Sequence, residues 1–343
     1  MDTIFSEKHR LRDSQTELYG GQLVYPHERP SRMEYILKRL TETGFGQIHA
    51  PDDFGIGPIL AIHEADFVEF LVNAWTDWEK EGFKGEAIAS NWPAKRMSQK
   101  RPNNIEGKLG YYSLAAETSI SKGTWEASYA SAQVALTAVE RVRKGARSAF
   151  ALCRPPGHHA TADMYGGYCF LNNAAIAAQH LHDKGATRVA ILDVDFHHGN
   201  GTQDIFYNRD DVLFVSLHGD PMYAFPYYLG HAEETGVGAG QGYTTNFPMP
   251  PKTDFEDWRK ALLQGLAKIA DFTPDALIIS LGVDTFENDP ISFFKLKSDD
   301  YFALGADIAA VGLPTLFVME GGYDIEEIGV NTVNTLIGFE NVI

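Results

Sequence analysis

Arg188-Val189-Ala190-Ile191-Leu192-Asp193-Val194-Asp195-Phe196-His197-His198-Gly199-Asn200-Gly201-Thr202 is the stretch on which the reading of this chain turns. Its first half is apolar and predicts a buried strand. Where that strand should end, two carboxylates and an imidazole arrive in alternation at Asp193, Asp195 and His197. Side chains two apart on an extended segment point the same way, so the three are expected on one face. Open parallel sheets bind ligands at the carboxyl ends of their strands. Burying three such polar groups is costly unless something pairs with them. The pattern therefore points to part of a metal site. A helix-capping Asp and two surface histidines are the plainer reading of each residue taken singly, and the whole string argues against it.

Working outward, four further apolar runs read as buried strands: 148–153, 212–217, 276–281 and 314–319, beside 189–194. Helical periodicity covers 32–42, 64–80, 123–144, 173–184, 255–271 and 299–311. Strands alternating with helices predict an α/β fold, with a central, mostly parallel sheet flanked by helices on both faces. No Ser/Gly- or Pro-rich linker divides the 343 residues, so one domain over 1–343 is expected. Residues 80–110 stand apart as an insertion loop, with charges, Gly and Pro but no clean period; loops of that length are functional or disordered. Phe83, Trp92 and Ile105 predict that it packs on something.

The chain carries 46 acidic against 29 basic residues, a net charge of −17. That disfavours nucleic acid, whose binding rests on phosphate neutralisation, and suits a cationic partner. No apolar run of about 18 residues is present, so no membrane span is expected. Met1-Asp2-Thr3-Ile4-Phe5-Ser6-Glu7-Lys8 lacks the pattern of a signal peptide, and a cytoplasmic location is expected. The two cysteines, Cys153 and Cys169, make neither a disulfide framework nor a thiolate-rich zinc site.

The other strands also end in polar residues and glycine: Arg154-Pro155-Pro156-Gly157-His158-His159, Gly282-Val283-Asp284, and Glu320-Gly321-Gly322-Tyr323. Together they bring two adjacent histidines, a third carboxylate and a tyrosine to one edge of one sheet, which is what an active-site search looks for. Asp195, His197 and Asp284 would make three protein ligands with one position open, the catalytic arrangement for Zn²⁺. The oxygen-rich set also suits Fe²⁺, Co²⁺ or Mn²⁺. A metal-acidified water, paired histidines as base and charged partner, and the Tyr323 hydroxyl as an oxyanion donor are the parts needed to hydrolyse an amide.

With Gly166-Gly167-Tyr168-Cys169-Phe170-Leu171-Asn172-Asn173 added to these motifs, the sequence resembles the arginase/deacetylase superfamily over nearly its whole length. The resemblance is to the deacetylase branch, which includes histone deacetylases and acetylpolyamine amidohydrolases, and in detail to the bacterial members acting on acetylpolyamines. The two-metal arginase pattern is absent, since 193–197 reads Asp-x-Asp-x-His and Phe286 stands two after Asp284, so one metal is expected. The resemblance implies that Asp195, His197 and Asp284 bind the metal, that His159 is general base and then acid, and that His158 is its electrostatic partner. It implies that Asp193 bonds His158, that Asn200 holds His159 where many members have Asp, and that Tyr323 polarises the acetyl carbonyl. Gly167 would offer its carbonyl, and Tyr168 and Phe225 would wall a narrow tunnel. It also implies structural K⁺ or Na⁺ ions, one at Asp193, Asp195, His197, Ser216 and Leu217, the other at Phe206, Arg209, Val212 and Tyr243.

The tunnel admits an acetyl-lysine side chain or an N-acetylated diamine. A free polyamine carries a further ammonium, which calls for a carboxylate. Glu17, Glu106 and Glu117 are the candidates, each also readable as a solvated surface glutamate. The leading expectation is a zinc-dependent amidohydrolase acting on acetylputrescine or acetylspermidine. The rivals are a lysine deacetylase acting on proteins or peptides, and a non-catalytic acetyl-ligand sensor, which the intact site residues argue against. By the same resemblance the insertion would narrow the entrance across a homodimer interface.

Overall fold

In the computed structural model, which describes residues 1–342, the anchor strand runs over Val189–Asp193 and lies deep inside an eight-stranded sheet. In chain order the strands are β1 (Asp2–Ile4), β2 (Glu17–Tyr19), β3 (Gln22–Val24), β4 (Ile48–His49), β5 (Ser148–Ala151), β6 (Val189–Asp193), β7 (Val212–Gly219), β8 (Thr244–Met249), β9 (Ala276–Leu281) and β10 (Thr315–Met319). The large sheet has the order β4-β1-β5-β10-β9-β6-β7-β8, and every neighbouring pair is parallel. β2 and β3 form a separate antiparallel hairpin.

Residues of the central strands alternate between two cores. Val189, Ile191, Ala276 and Ile278 face one side, while Ala190, Leu192, Leu277 and Ile279 face the other. Both faces are covered, which is why these strands read as continuous apolar runs. Helices Ala65–Lys80, Thr124–Arg143 and Asn173–Asp183 pack on the first face. Helices Ser31–Thr43, Phe255–Phe272, Asp300–Ala309 and Ile328–Glu340 pack on the second.

The single-domain α/β architecture agrees with the expectation, and the differences have local causes. β1 and β4 are too short to show a period. β8 contains Pro248, which its place at the sheet edge tolerates. The helix Ile328–Glu340 is rich in Gly, Val and Thr, so its own propensity is poor. It forms because it lies tightly against Asp300–Ala309: a Cβ on Gly305 would strike the carbonyl of Thr335, and one on Gly338 that of Phe302.

The 80–110 insertion is a largely exposed, irregular loop, tied down at a few points. Its end becomes the helix Ile105–Tyr112, capped by Asn104. Ala87 bridges to Ile120, the Trp92 indole donates to Ser113 O (2.9 Å), and Arg101 reaches Asp66 (3.3 Å).

Candidate active site

Strands β5, β10, β9 and β6 are consecutive in the sheet, and their carboxyl ends carry His158 and His159, Tyr323, Asp284, and the 193–200 string respectively. Parallel pairing therefore delivers residues up to 165 positions apart in sequence to one place. One detail of the expectation is corrected. β6 ends at Asp193, so strand alternation does not align Asp195 and His197 with it. A turn does so instead, closed by the Asp195 amide on Asp193 Oδ1 (3.1 Å) and the His197 amide on Asp195 Oδ1 (2.9 Å).

Asp195, His197 and Asp284 are buried, and their ligand atoms lie within 4.8 Å of one another. His197 Nδ1 stands 3.0 Å from Asp284 Oδ2 and 3.3 Å from Asp195 Oδ1. The carboxylates are oriented by main chain: Gly321 N–H donates to Asp195 Oδ2 (2.7 Å) and Phe196 N–H to Asp284 Oδ1 (2.8 Å). A Cβ on Gly321 would lie 2.5 Å from both Asp195 Oδ2 and Asp284 Oδ2, and one on Gly282 would overlap Asp195. Burial and the charge of Asp195 push Asp284 up to about 6. Two adjoining acids with that repulsion, an imidazole beside them, and no Lys or Arg bonded to either among the described residues fit a divalent cation.

The histidine pair sits alongside. His158 Nδ1 is 3.0 Å from Asp193 Oδ2, and His159 Nδ1 is 2.7 Å from Asn200 Oδ1, with ring centroids 4.0 Å apart. Burial disfavours the His158 imidazolium, yet Asp195 and Asp193 outweigh it and raise its pKa to about 10. His159 is held well below its ordinary value by burial and by the positive charge of His158 and His197. Two adjacent imidazoles thus have opposite protonation preferences, the pattern that separates acid from base roles.

A cleft of about 650 Å³ leads down to this cluster. His159, Gly167, Tyr168, His197, Phe225 and Tyr323 line it, as do Glu17 and Glu117. Phe225 meets His159 edge-on at 5.0 Å, and Tyr168 faces Tyr323 at 5.5 Å. Tyr168 has φ +66°, a strained setting for an aromatic residue. Its amide bonds Thr118 Oγ1 (2.8 Å) and its hydroxyl bonds Glu17 (2.7 Å), which hold it there.

The three glutamates part company. Glu117 is half-buried in the cleft, accepting the Gly167 amide (2.8 Å). Glu17 is buried, with its oxygens occupied by Tyr168 and the His27 amide (3.0 Å), so it braces the wall. Glu106 is exposed at the start of its helix and does not line the cleft of its own chain. Of the expected cation-site residues, Ser216 pairs in register with Asp193, and Leu217 follows it. Phe206, Arg209, Val212 and Tyr243 cluster where β7 begins, at the far end of that strand from the cleft.

Sequence reasoning missed several groups that shape the site. Arg32 donates to the carbonyls of Gly322 (2.7 Å) and Glu320 (2.6 Å), its guanidinium 4.8 Å over the Tyr323 ring. It looked like an ordinary helix residue. Glu28 receives Arg12, Arg32 and Arg154 in one buried cluster; burial opposes its charge, but the three arginines hold its carboxyl at about 2. Glu320 accepts the amides of Gly157 (2.6 Å) and His158 (3.1 Å), tying the tyrosine turn to the histidine turn. Exposed Tyr223, Tyr227 and Tyr228 rim the mouth, and the run Tyr223-Ala224-Phe225-Pro226-Tyr227-Tyr228 was the signal that could have revealed them.

The chain matches the histone deacetylase domain over residues 26–337. It is 57% identical over 338 residues to "Acetylpolyamine amidohydrolase" of Mycoplana ramosa, covering 98% of this chain and 99% of that one. It is 54% identical over 342 residues to "Acetylpolyamine amidohydrolase 2" of Pseudomonas aeruginosa, covering 100% and 99%. Among solved structures, an acetylpolyamine aminohydrolase from Burkholderia pseudomallei superposes with a TM-score of 0.95 at 39% identity, covering 100% of this chain and 99% of that one.

Proposed function

Since the chain belongs to the histone deacetylase family and is a deacetylase that hydrolyses amides, we propose that its substrates are N-acetylated polyamines such as acetylputrescine and acetylspermidine. The observation that carries this reading is Glu117, a carboxylate held inside an aromatic-walled cleft above the buried Asp195–His197–Asp284 cluster. A slender alkyl chain fits such walls, and a distal ammonium is drawn to the carboxylate. The net charge of −17 favours the approach of a polycation.

In this reading Asp195, His197 and Asp284 hold one Zn²⁺, which when bound would polarise the acetyl carbonyl and acidify a water. His159 takes the proton of the attacking water and passes it to the amine nitrogen as the C–N bond breaks, giving acetate and a free amine. The preference of His159 for its neutral form, and the carboxylate of Asp193 rather than an amide beside His158, support that division of roles. Asp193 and Asn200 orient the two rings. Tyr323 donates its O–H to the oxygen that gains charge, and the Gly167 carbonyl, Tyr168 and Phe225 confine the chain. The reading includes a homodimer whose insertions narrow each other's entrance, where exposed Glu106 would meet a far ammonium. It also assigns K⁺ or Na⁺ to the carbonyls around Asp193 and around Val212.

Acetate release from acetylputrescine and acetylspermidine, compared with an acetyl-lysine peptide, tests the proposal. Higher kcat/KM on the free polyamines is expected, and a preference for the peptide overturns it in favour of a protein lysine deacetylase.

A further inference from the structure

Tyr323 follows two glycines, Gly321 and Gly322, the second at φ +129°. Such a segment has more conformational freedom than any other residue pair would allow. Among the described residues no protein group holds the Tyr323 hydroxyl by a hydrogen bond, so its position must be set through the ring and the main chain. Arg32 covers the ring. The main chain is gripped by Asp289.

Asp289 lies in the loop after Asp284 and is 6% exposed. Its Oδ2 accepts the amides of Tyr323 (2.7 Å) and Asp324 (3.2 Å), while Oδ1 accepts the amide of Ile291 (3.1 Å). All three donors are main-chain N–H groups. Burial pushes this carboxyl above the usual carboxylate range, so the fold bears a cost to keep it. What it joins suggests why. On one side is the tyrosine turn. On the other is the segment from Pro290 to Phe293, which forms one wall of the cleft. One side chain thus locks the oxyanion donor to the wall against which the substrate lies.

We infer that Asp289 is a positioning residue of the deacetylation reaction, fixing the Tyr323 hydroxyl against the 290–293 wall through the amides of Tyr323 and Asp324. It touches no substrate, and the inference rests on the role given to Tyr323 above. Loss of an oxyanion donor costs about 10²–10³ in rate, and a displacement of about 1 Å can cost about 10²-fold. The effect of Asp289 should therefore approach, and never exceed, that of Tyr323.

A double-mutant cycle on the full-length, zinc-loaded protein tests this with acetylputrescine as substrate. Asp289→Ala should lower kcat by about 10- to 100-fold with KM moving less than about 3-fold. In the Tyr323→Phe background the same change should lower kcat by less than about 3-fold, because the hydroxyl it positions is gone. Asp289→Asn retains one acceptor oxygen and should fall between; it runs the cycle by itself where the alanine variant does not fold. Equal losses in both backgrounds, or a parallel loss of bound zinc, would mean that Asp289 merely supports the fold or Asp284, and would overturn the inference. A wild-type protein inactive on every acetylated amine is a different result, and it would sink the functional reading and the inference together.

Discussion

Replacing Glu117 by Gln removes a charge from the cleft while leaving an acceptor in place. Glu117 Oε1 receives the Gly167 amide at 2.8 Å and the Thr118 hydroxyl at 2.9 Å, and a carboxamide oxygen can receive both. What is lost is the attraction for a substrate ammonium. Two unit charges about 4 Å apart near a protein surface attract by about 4 kcal/mol before desolvation is counted. Glu117 is half-buried, so solvent screening and the cost of ordering the ammonium reduce this to the range of a charge-assisted hydrogen bond, about 1.5–2 kcal/mol. That corresponds to about a 10- to 30-fold loss in kcat/KM for acetylspermidine, carried by KM. The control is a neutral N-alkylacetamide of similar length, which should react about equally well with both proteins. Higher salt should narrow the wild-type preference for the charged substrate and leave the variant unaffected. If Glu117→Gln slows the neutral amide as much as the polyamine, Glu117 acts only by bracing Gly167, and the electrostatic account is wrong.

Other expectations follow from the same geometry. Tyr323→Phe should reduce kcat by about 10²–10³ with zinc content unchanged, and a fully active variant would remove the hydroxyl from the reaction. Asp284→Ala should lose metal and activity together by elemental analysis and assay, and chelation of the wild-type protein should abolish activity that added Zn²⁺ restores; normal zinc content in the variant would refute the ligand assignment. His63 is buried and accepts the Asn172 amide at Nε2 (2.9 Å), and burial lowers its pKa from 6.5 to about 4. Because the unfolded chain binds that proton first, the stability His63 contributes is intact above pH 6.5 and is lost between about 6.5 and 4, at about 1.4 kcal/mol per pH unit. Urea unfolding of wild type and His63→Gln at several pH values checks this, and identical pH dependence in the two would count against it.

The central strands were legible because two covered faces demand unbroken apolar runs, as Val189 to Leu192 and Ala276 to Leu281 show. The edge strands were not: β4 has two residues, and β8 carries a proline that only an edge position permits. In the site, residues whose chemistry is rare at strand ends stood out, namely His158, His159, Asp195, His197 and Asp284. Residues that act through main-chain atoms left no such trace. Asp289 and Glu320 read as ordinary acids until the amides they receive are seen. Arg32 sits in an amphipathic helix, and nothing in that periodicity reveals that it reaches across 290 positions to Gly322. The glutamates show the converse limit, since charge type alone could not separate Glu117 in the cleft from Glu17, bonded to Tyr168, or from Glu106 on the surface.

The bare positions at 282 and 321 constrain how this protein can diverge. With hydrogen as the only substituent at either Cα, the acids of the cluster can crowd close enough to repel each other until a cation relieves them. Alanine at 321 would wedge the pair apart, and at 282 it would press on Asp195. A descendant could drift freely at the cleft rim and change what it cleaves, but a methyl group at one of these two sites would displace the acids of the cluster, with every acid and imidazole still present in its sequence.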